Sequence, residues 1–193
     1  MDQNKIVMHK VIFLDHDGVI CLSDQWGSRS KKKVKHYKYK GGSEPTLDCR
    51  FDNFDPKAVS TLNSIIEKTG ADIVVSSDWR YHATLEEMGE YYIMKGIIKK
   101  PIAYTPDLSE CTWYLDKDLE WTPGWDLEQS RSIEIQQYLI DHPDITNWVA
   151  IDDLNMGNSE SWKVWGLSNF VLTPRSREGI KQSGIKKKIL EFL

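Results

Sequence analysis

The sequence predicts an α/β fold: a doubly wound, mainly parallel five-stranded sheet. Short apolar runs recur along the chain, helical apolar stripes lie between them, and most of the runs are apolar throughout rather than alternating. Strands that alternate with helices build parallel sheets through right-handed crossovers, and strands covered on both faces read as continuous apolar stretches. The runs are residues 11–14, 73–75, 97–104, 148–151 and 170–172. The third departs most from the pattern, because Lys99, Lys100 and Pro101 interrupt it.

Each helix carries its own start and stop signals. Asp55 stands before Pro56, an N-cap followed by a proline at the first helical position, and Val59, Leu62, Ile65 and Ile66 form one stripe that Gly70 ends. Residues 83–95 form a second helix, closed by Gly96. Ser130 or Ser132 caps a third, with Ile135 and Leu139 facing inward and Pro143 as its stop, and residues 178–193 form a fourth. Neither repeats nor a low-complexity linker divide the chain, so residues 1–193 read as one domain. Two segments break the alternation, about 22–54 and 105–130. Loops this long over a compact domain are usually functional or disordered, and in open α/β sheets the ligand crevice lies at the carboxyl ends of the strands. Both insertions are expected there, as small loop or hairpin caps.

Composition narrows the class. With 193 residues, 40% hydrophobic and 28% charged, the chain suits a globular protein of ordinary domain size. Its net charge of −4, from 25 basic and 29 acidic residues, excludes a generic polyanion binder. Cys21, Cys49 and Cys111 are too few and too scattered for a disulfide framework or a zinc knuckle, and their odd number fits a reducing compartment. Lys5, His9 and Lys10 interrupt any secretory leader, and no run approaches the roughly 18 apolar residues of a membrane span. A cytoplasmic protein without a membrane partner is expected.

Three strand ends carry the chemistry. "FLDHDGV" places Asp15 and Asp17 two residues apart on extended backbone, where side chains at i and i+2 point the same way, with Gly18 permitting a sharp turn beyond. A surface turn is one alternative. A calcium loop is another, but the further oxygen ligands and helix–loop–helix setting it needs are missing. "VAIDDLN" adds Asp152 and Asp153 at a second strand end. If the two strands are neighbours, the carboxylates meet, and hard oxygen donors select magnesium or calcium. "VVSSDWR" ends a third strand with Ser76, Ser77 and Arg80, the hydroxyl and guanidinium chemistry that suits a phosphoryl group. Ser77 and Asp78 could equally cap the following helix, and Trp79 reads as packing.

In this order, the three motifs resemble those of the haloacid dehalogenase-like (HAD) phosphohydrolases, whose core is a Rossmann-like sheet. "SSDWR", Thr105–Pro106, Glu134–Ile135 and "FVLTP" are more narrowly similar to the small HAD domains associated with Swiss-army-knife RNA-repair proteins. The resemblance implies that Asp15 is the nucleophile and Asp17 the acid–base residue. It also implies that Mg²⁺ sits on the Asp15 carboxylate, the Asp17 carbonyl and Asp152, with Asp153 a second ligand or an outer partner. Ser76 would hold the transferring phosphoryl group. A cation is also implied upstream of the last acidic motif; Arg131 is the choice, with Arg80, Lys99 and Lys117 as rivals. Dehalogenation is disfavoured, because it has no need of the proton carried by Asp17.

The first insertion departs from that subfamily. Arg29, Lys31, Lys32, Lys33, Lys35, Lys38 and Lys40 cluster without an intervening acid, interleaved with His36, Tyr37 and Tyr39. Lysines can bind phosphates and aromatic rings can stack on bases, although charge runs are often merely solvated. Lys33, Lys35, Tyr37 and Lys38, with Ser77 and Arg80, are the candidate substrate-binding residues, and "KVKHYKYK" alternates as a β-hairpin flap would. Trp113, Trp121 and Trp125 mark the second insertion; Trp162 and Trp165 read as packing. The expected activity is a Mg²⁺-dependent phosphatase acting on a nucleotide or a polynucleotide terminus. The alternatives are a small-metabolite phosphatase, for example of sugar phosphates, and a catalytically idle nucleic-acid-binding module.

Overall fold

The strands run in chain order as β1 (His9–Leu14), β2 (Asp72–Val75), β3 (Ala103–Tyr104), β4 (Trp113–Leu115), β5 (Trp121–Pro123), β6 (Ile145–Asp152) and β7 (Phe170–Leu172). The helices are α1 (Leu47–Arg50), α2 (Pro56–Thr69), α3 (Leu85–Met94), α4 (Leu127–Asp141) and α5 (Ile185–Phe192), with 3₁₀ turns at Asp78–His82 and Gly179–Lys181. The computed structural model describes residues 9–22, 46–108, 113–115, 121–123, 127–157, 166–174 and 177–193. Five strands form one sheet in the order β3-β2-β1-β6-β7, each neighbouring pair parallel. This is the doubly wound α/β core the sequence predicts.

The period of two along the strands divides the core. Ile12 and Leu14 of β1, Ile73 and Val75 of β2, and Val149 and Ile151 of β6 face one side, against Val59, Leu62, Ile65 and Ile66 of α2, Met88, Tyr91 and Tyr92 of α3, and Ile185 and Ile189 of α5. Val11, Phe13, Val74 and Ala150 face the other, where Ile135 and Tyr138 of α4 cover them. The inner side chains of β1 are wholly buried, each stabilising the fold by about 1.5–3 kcal/mol relative to exposure. Among the described residues, no helix is long and apolar enough to cross a membrane.

Helix α2 starts and stops as expected. Asp55 Oδ1 accepts from the backbone N–H groups of Lys57 and Ala58 at 2.9 Å, and Gly70 takes φ +72° at the other end. Elsewhere the boundaries move. The third strand shrinks to Ala103–Tyr104: Lys99 turns its ammonium to the Gly70 carbonyl and to Asp72, and Pro101 has no N–H for a ladder. Helix α4 begins at Leu127, so Ser130 and Ser132 are buried within it rather than capping it, and Arg131 lies in its second turn. Gly184, at φ +89°, breaks the last helical stretch into the 3₁₀ turn and α5. Within the second insertion, β4 and β5 pair as an antiparallel hairpin. The proposed flap "KVKHYKYK" lies outside the described residues, as do Lys117, Trp125, Trp162 and Trp165.

Candidate active site

Register brings the motifs into one row. Leu14 pairs with Val75 on one side and Ile151 on the other, so Ser76, Asp15 and Asp152 are the next residues on three adjacent strands. The ladder continues through them: Asp15 N–H donates to the Ile151 carbonyl at 3.1 Å, and Ser76 N–H to the Leu14 carbonyl at 3.0 Å. Thr105 N–H reaches Val75 and Thr173 N–H reaches Asp152, extending the row to both outer strands. Thr105, Ser76, Asp15, Asp152 and Thr173 are thus five polar residues across the carboxyl rim of the sheet, all at most 3% exposed.

Oxygen atoms of Asp15, Asp152 and Asp153 lie within 4.8 Å of one another. Arg131 compensates part of their charge: Nη1 lies 2.9 Å from Asp152 Oδ2 and 3.2 Å from Asp15 Oδ1, and Nη2 lies 3.1 Å from Asp78 Oδ1. One guanidinium does not neutralise the set. Burial, with the Asp152 charge beside it, holds the Asp15 carboxyl well above its ordinary pKa. Burial pushes Asp152 up to about 6, against the attraction of Arg131. Burial alone would lower the Arg131 pKa, but Asp15 and Asp152 outweigh it and raise the value.

The turn after β1 is built to admit this cluster. The His16 carbonyl accepts from the N–H groups of Val19, Ile20 and Cys21, and Gly18 sits between at φ +72°. A Cβ on Gly18 would stand 2.4 Å from Asp153 Oδ2, so glycine is required both by the backbone and by the neighbouring carboxylate. His16, fully buried, donates or accepts at Tyr92 Oη (2.6 Å), and burial, then the Arg131 charge, lowers its pKa to about 3. Asp17 leaves the cluster. Its Oδ2 accepts from Trp79 Nε1 at 2.9 Å, and burial raises its pKa despite that bond and a second one from Cys21.

The serines divide their tasks. Ser77 gives no helix-cap bond; its hydroxyl bonds Asp15 instead. Ser76 Oγ is buried with no hydrogen-bond partner among the described residues, an arrangement that costs about 1–3 kcal/mol unless a ligand completes it. Arg80 is committed elsewhere. Its terminal nitrogens hold Glu134 at 2.7 and 2.8 Å, and Nη1 also donates to Thr105 Oγ1 at 2.6 Å. Arg80, an expected substrate-binding residue, thus forms a buried tie between the loop after β2, the end of β3 and α4. Of the rival cations, Lys99 is paired with Asp72, while Arg131 touches the acidic cluster. Lys33, Lys35, Tyr37 and Lys38 lie outside the described residues. Sequence reasoning missed Trp79, Asp78 and Thr173 as parts of the site; only the position of Thr173 directly after an apolar run signalled it, whereas the others depend on tertiary folding.

The donor set fits a hard divalent cation: three carboxylates converge, glycine makes room for one of them, and a buried hydroxyl beside them lacks a partner. A doubly wound sheet with its acidic cluster at the carboxyl rim defines a HAD-like α/β protein. More narrowly, residues 11–184 match the family described as the HAD domain in Swiss Army Knife RNA repair proteins, and the chain belongs to that family. No curated protein and no solved structure matches it.

Proposed function

We propose that the protein is a Mg²⁺-dependent phosphatase that works through an aspartyl phosphate and acts on a nucleotide or a polynucleotide terminal phosphate. The convergence of Asp15, Asp152 and Asp153 beside Arg131 carries this reading, and membership of a family of RNA-repair HAD domains supports the substrate class. Asp15, Asp152 and Asp153, with the Asp17 carbonyl, would hold the ion, which when bound offsets the repulsion between an anionic nucleophile and an anionic substrate.

The chain's own residues do the rest. An Asp15 oxygen forms a bond to phosphorus as the bond to the leaving oxygen breaks, and the proton of the Asp17 carboxyl passes to that oxygen. Water then attacks the phosphorus, Asp17 takes its proton, and the Asp15–phosphorus bond breaks to release phosphate. Ser76 supplies its unpartnered hydroxyl to the phosphoryl group, Ser77 orients Asp15, and Arg131 holds Asp15 and Asp152 in register. Lys33, Lys35, Tyr37 and Lys38 supply the cationic and stacking chemistry for a nucleic-acid substrate. The test is phosphate release from nucleoside monophosphates and from 5′- and 3′-phosphorylated oligonucleotides, with and without Mg²⁺. Metal-dependent release, lowered about 10³-fold or more in Asp15→Asn, is expected. Full activity in that variant, or no release from any substrate, would remove the proposal.

A further inference from the structure

Trp79 is held more tightly than packing alone requires. Its ring, 7% exposed, is stacked on Phe51 at 4.6 Å between centroids and 11° between planes, and on Phe54 at 5.5 Å and 14°. The His16 ring lies 4.6 Å away and Tyr91 approaches at 6.3 Å. A ring gripped in this way has one orientation, so its N–H has one direction. That direction is Asp17 Oδ2, at 2.9 Å. A buried indole needs only some acceptor; here it takes the carboxyl assigned the proton of the reaction.

We propose that Trp79 is a positioning residue: its indole N–H occupies Asp17 Oδ2, so that the proton is carried on Oδ1 and delivered from a fixed rotamer to the leaving oxygen. In a protonated carboxyl the carbonyl oxygen is the stronger acceptor, so an N–H bonded to Oδ2 favours the tautomer protonated on Oδ1. The inference rests on the acid role given to Asp17 above. Phe51 and Phe54 extend the arrangement: both close the segment between β1 and α2, and their rings hold the indole that holds the acid.

A positioning role has a signature that a packing role lacks. A p-nitrophenolate leaves without a proton, whereas a sugar hydroxyl leaves only with one. Trp79→Phe, which keeps a ring in the stack and removes the donor, is therefore expected to lower the single-turnover rate of nucleoside release from a nucleoside 5′-monophosphate about 10–100-fold. The substrate concentration giving half-maximal rate should stay nearly unchanged, and single-turnover release of p-nitrophenolate should change little, because that release precedes the water attack that Asp17 assists with either substrate. Asp17→Asn serves as the reference and should show the same selectivity more strongly. Where Trp79→Phe folds poorly by thermal unfolding, site-specific replacement of Trp79 by benzothienylalanine, an isostere without the N–H, gives the same comparison. Selective loss in Asp17→Asn combined with equal losses on both substrates in the Trp79 variants would overturn the inference and leave the acid assignment standing. No selectivity in Asp17→Asn would overturn the acid assignment itself, and the inference with it.

Discussion

Arg131 shows how one buried side chain can set the electrostatics of a whole rim. It is 5% exposed and touches three carboxylates, two of them more deeply buried than itself. Removing one partner of a buried ionic group leaves charge without compensation, which typically destabilises by about 3–5 kcal/mol. Arg131→Met should therefore unfold at much lower urea concentration at pH 7. The direction with pH follows from the acids it leaves behind. Burial already holds Asp152 up at about 6 and Asp15 well above its ordinary value, and loss of the guanidinium raises both further. An acid whose folded pKa exceeds its unfolded one binds protons more readily when folded, so acidification stabilises the fold. The deficit of Arg131→Met should shrink from pH 7 to pH 5, and Mg²⁺ should raise its melting temperature more than it raises that of the wild type. A deficit of constant size across that range would contradict the charge account. The arginine was legible as a candidate because it precedes the last acidic strand, but four cations competed for the position. Among the described residues the fold separates them, since Arg80 finds Glu134, 54 residues away, and Lys99 finds Asp72.

At the level of elements, legibility followed locality. Helix α2 carries its cap, stripe and stop within its own residues, and the sequence alone marks both ends. Its cap also does more than a local cap: Asp55 Oδ2 accepts from Lys181 Nζ at 2.9 Å, tying the start of α2 to the 3₁₀ turn near the C-terminus. Asp55→Ala should destabilise by about 1–2 kcal/mol, read as a shift in the urea midpoint. Burial tends to raise the Asp55 pKa, but Lys181 and the N–H groups of Ala58 and Lys57 together lower it. The contribution is therefore present above the ordinary carboxylate pKa and disappears as pH falls through the lowered value. The difference between wild type and variant should hold from pH 7 to pH 5 and shrink towards pH 3; a difference undiminished at pH 3 would show that the carboxylate charge does not carry it. Strand β3 was harder to read, because two residues become a strand only through pairing with Val74 and Val75. The same holds for the hairpin of β4 and β5, whose tryptophans suggested a loop. The pairing of Trp79 with Asp17 left no mark in the sequence at all, since an indole so placed looks like any other packed aromatic.

Across the whole molecule, the two rims of the sheet have opposite tasks. The carboxyl rim concentrates buried like charge and an unpartnered hydroxyl, features that weaken a fold and suit a reaction. At the opposite rim, charges are paired across strands. His9, the first residue of β1, places Nε2 3.1 Å from Asp72 Oδ2 on β2 and Nδ1 2.9 Å from Asp144 Oδ2 in the turn before β6. A carboxylate at each ring nitrogen favours the doubly protonated imidazole, in which both nitrogens donate. The hydrogen bond to Asp144 contributes most to raising its pKa above 6.5, Asp72 adds to it, and partial burial opposes them. A histidine with a raised folded pKa stabilises fully below its unfolded value, and the effect is lost as pH rises through the folded one. His9→Gln should therefore melt below the wild type at pH 6, and the two curves should converge above pH 8. Because His9 and Asp15 lie at opposite ends of β1, phosphate release at saturating substrate should be unchanged at 25 °C. A melting difference independent of pH would assign His9 a packing role, whereas lost turnover in a folded variant would show that the two rims are coupled.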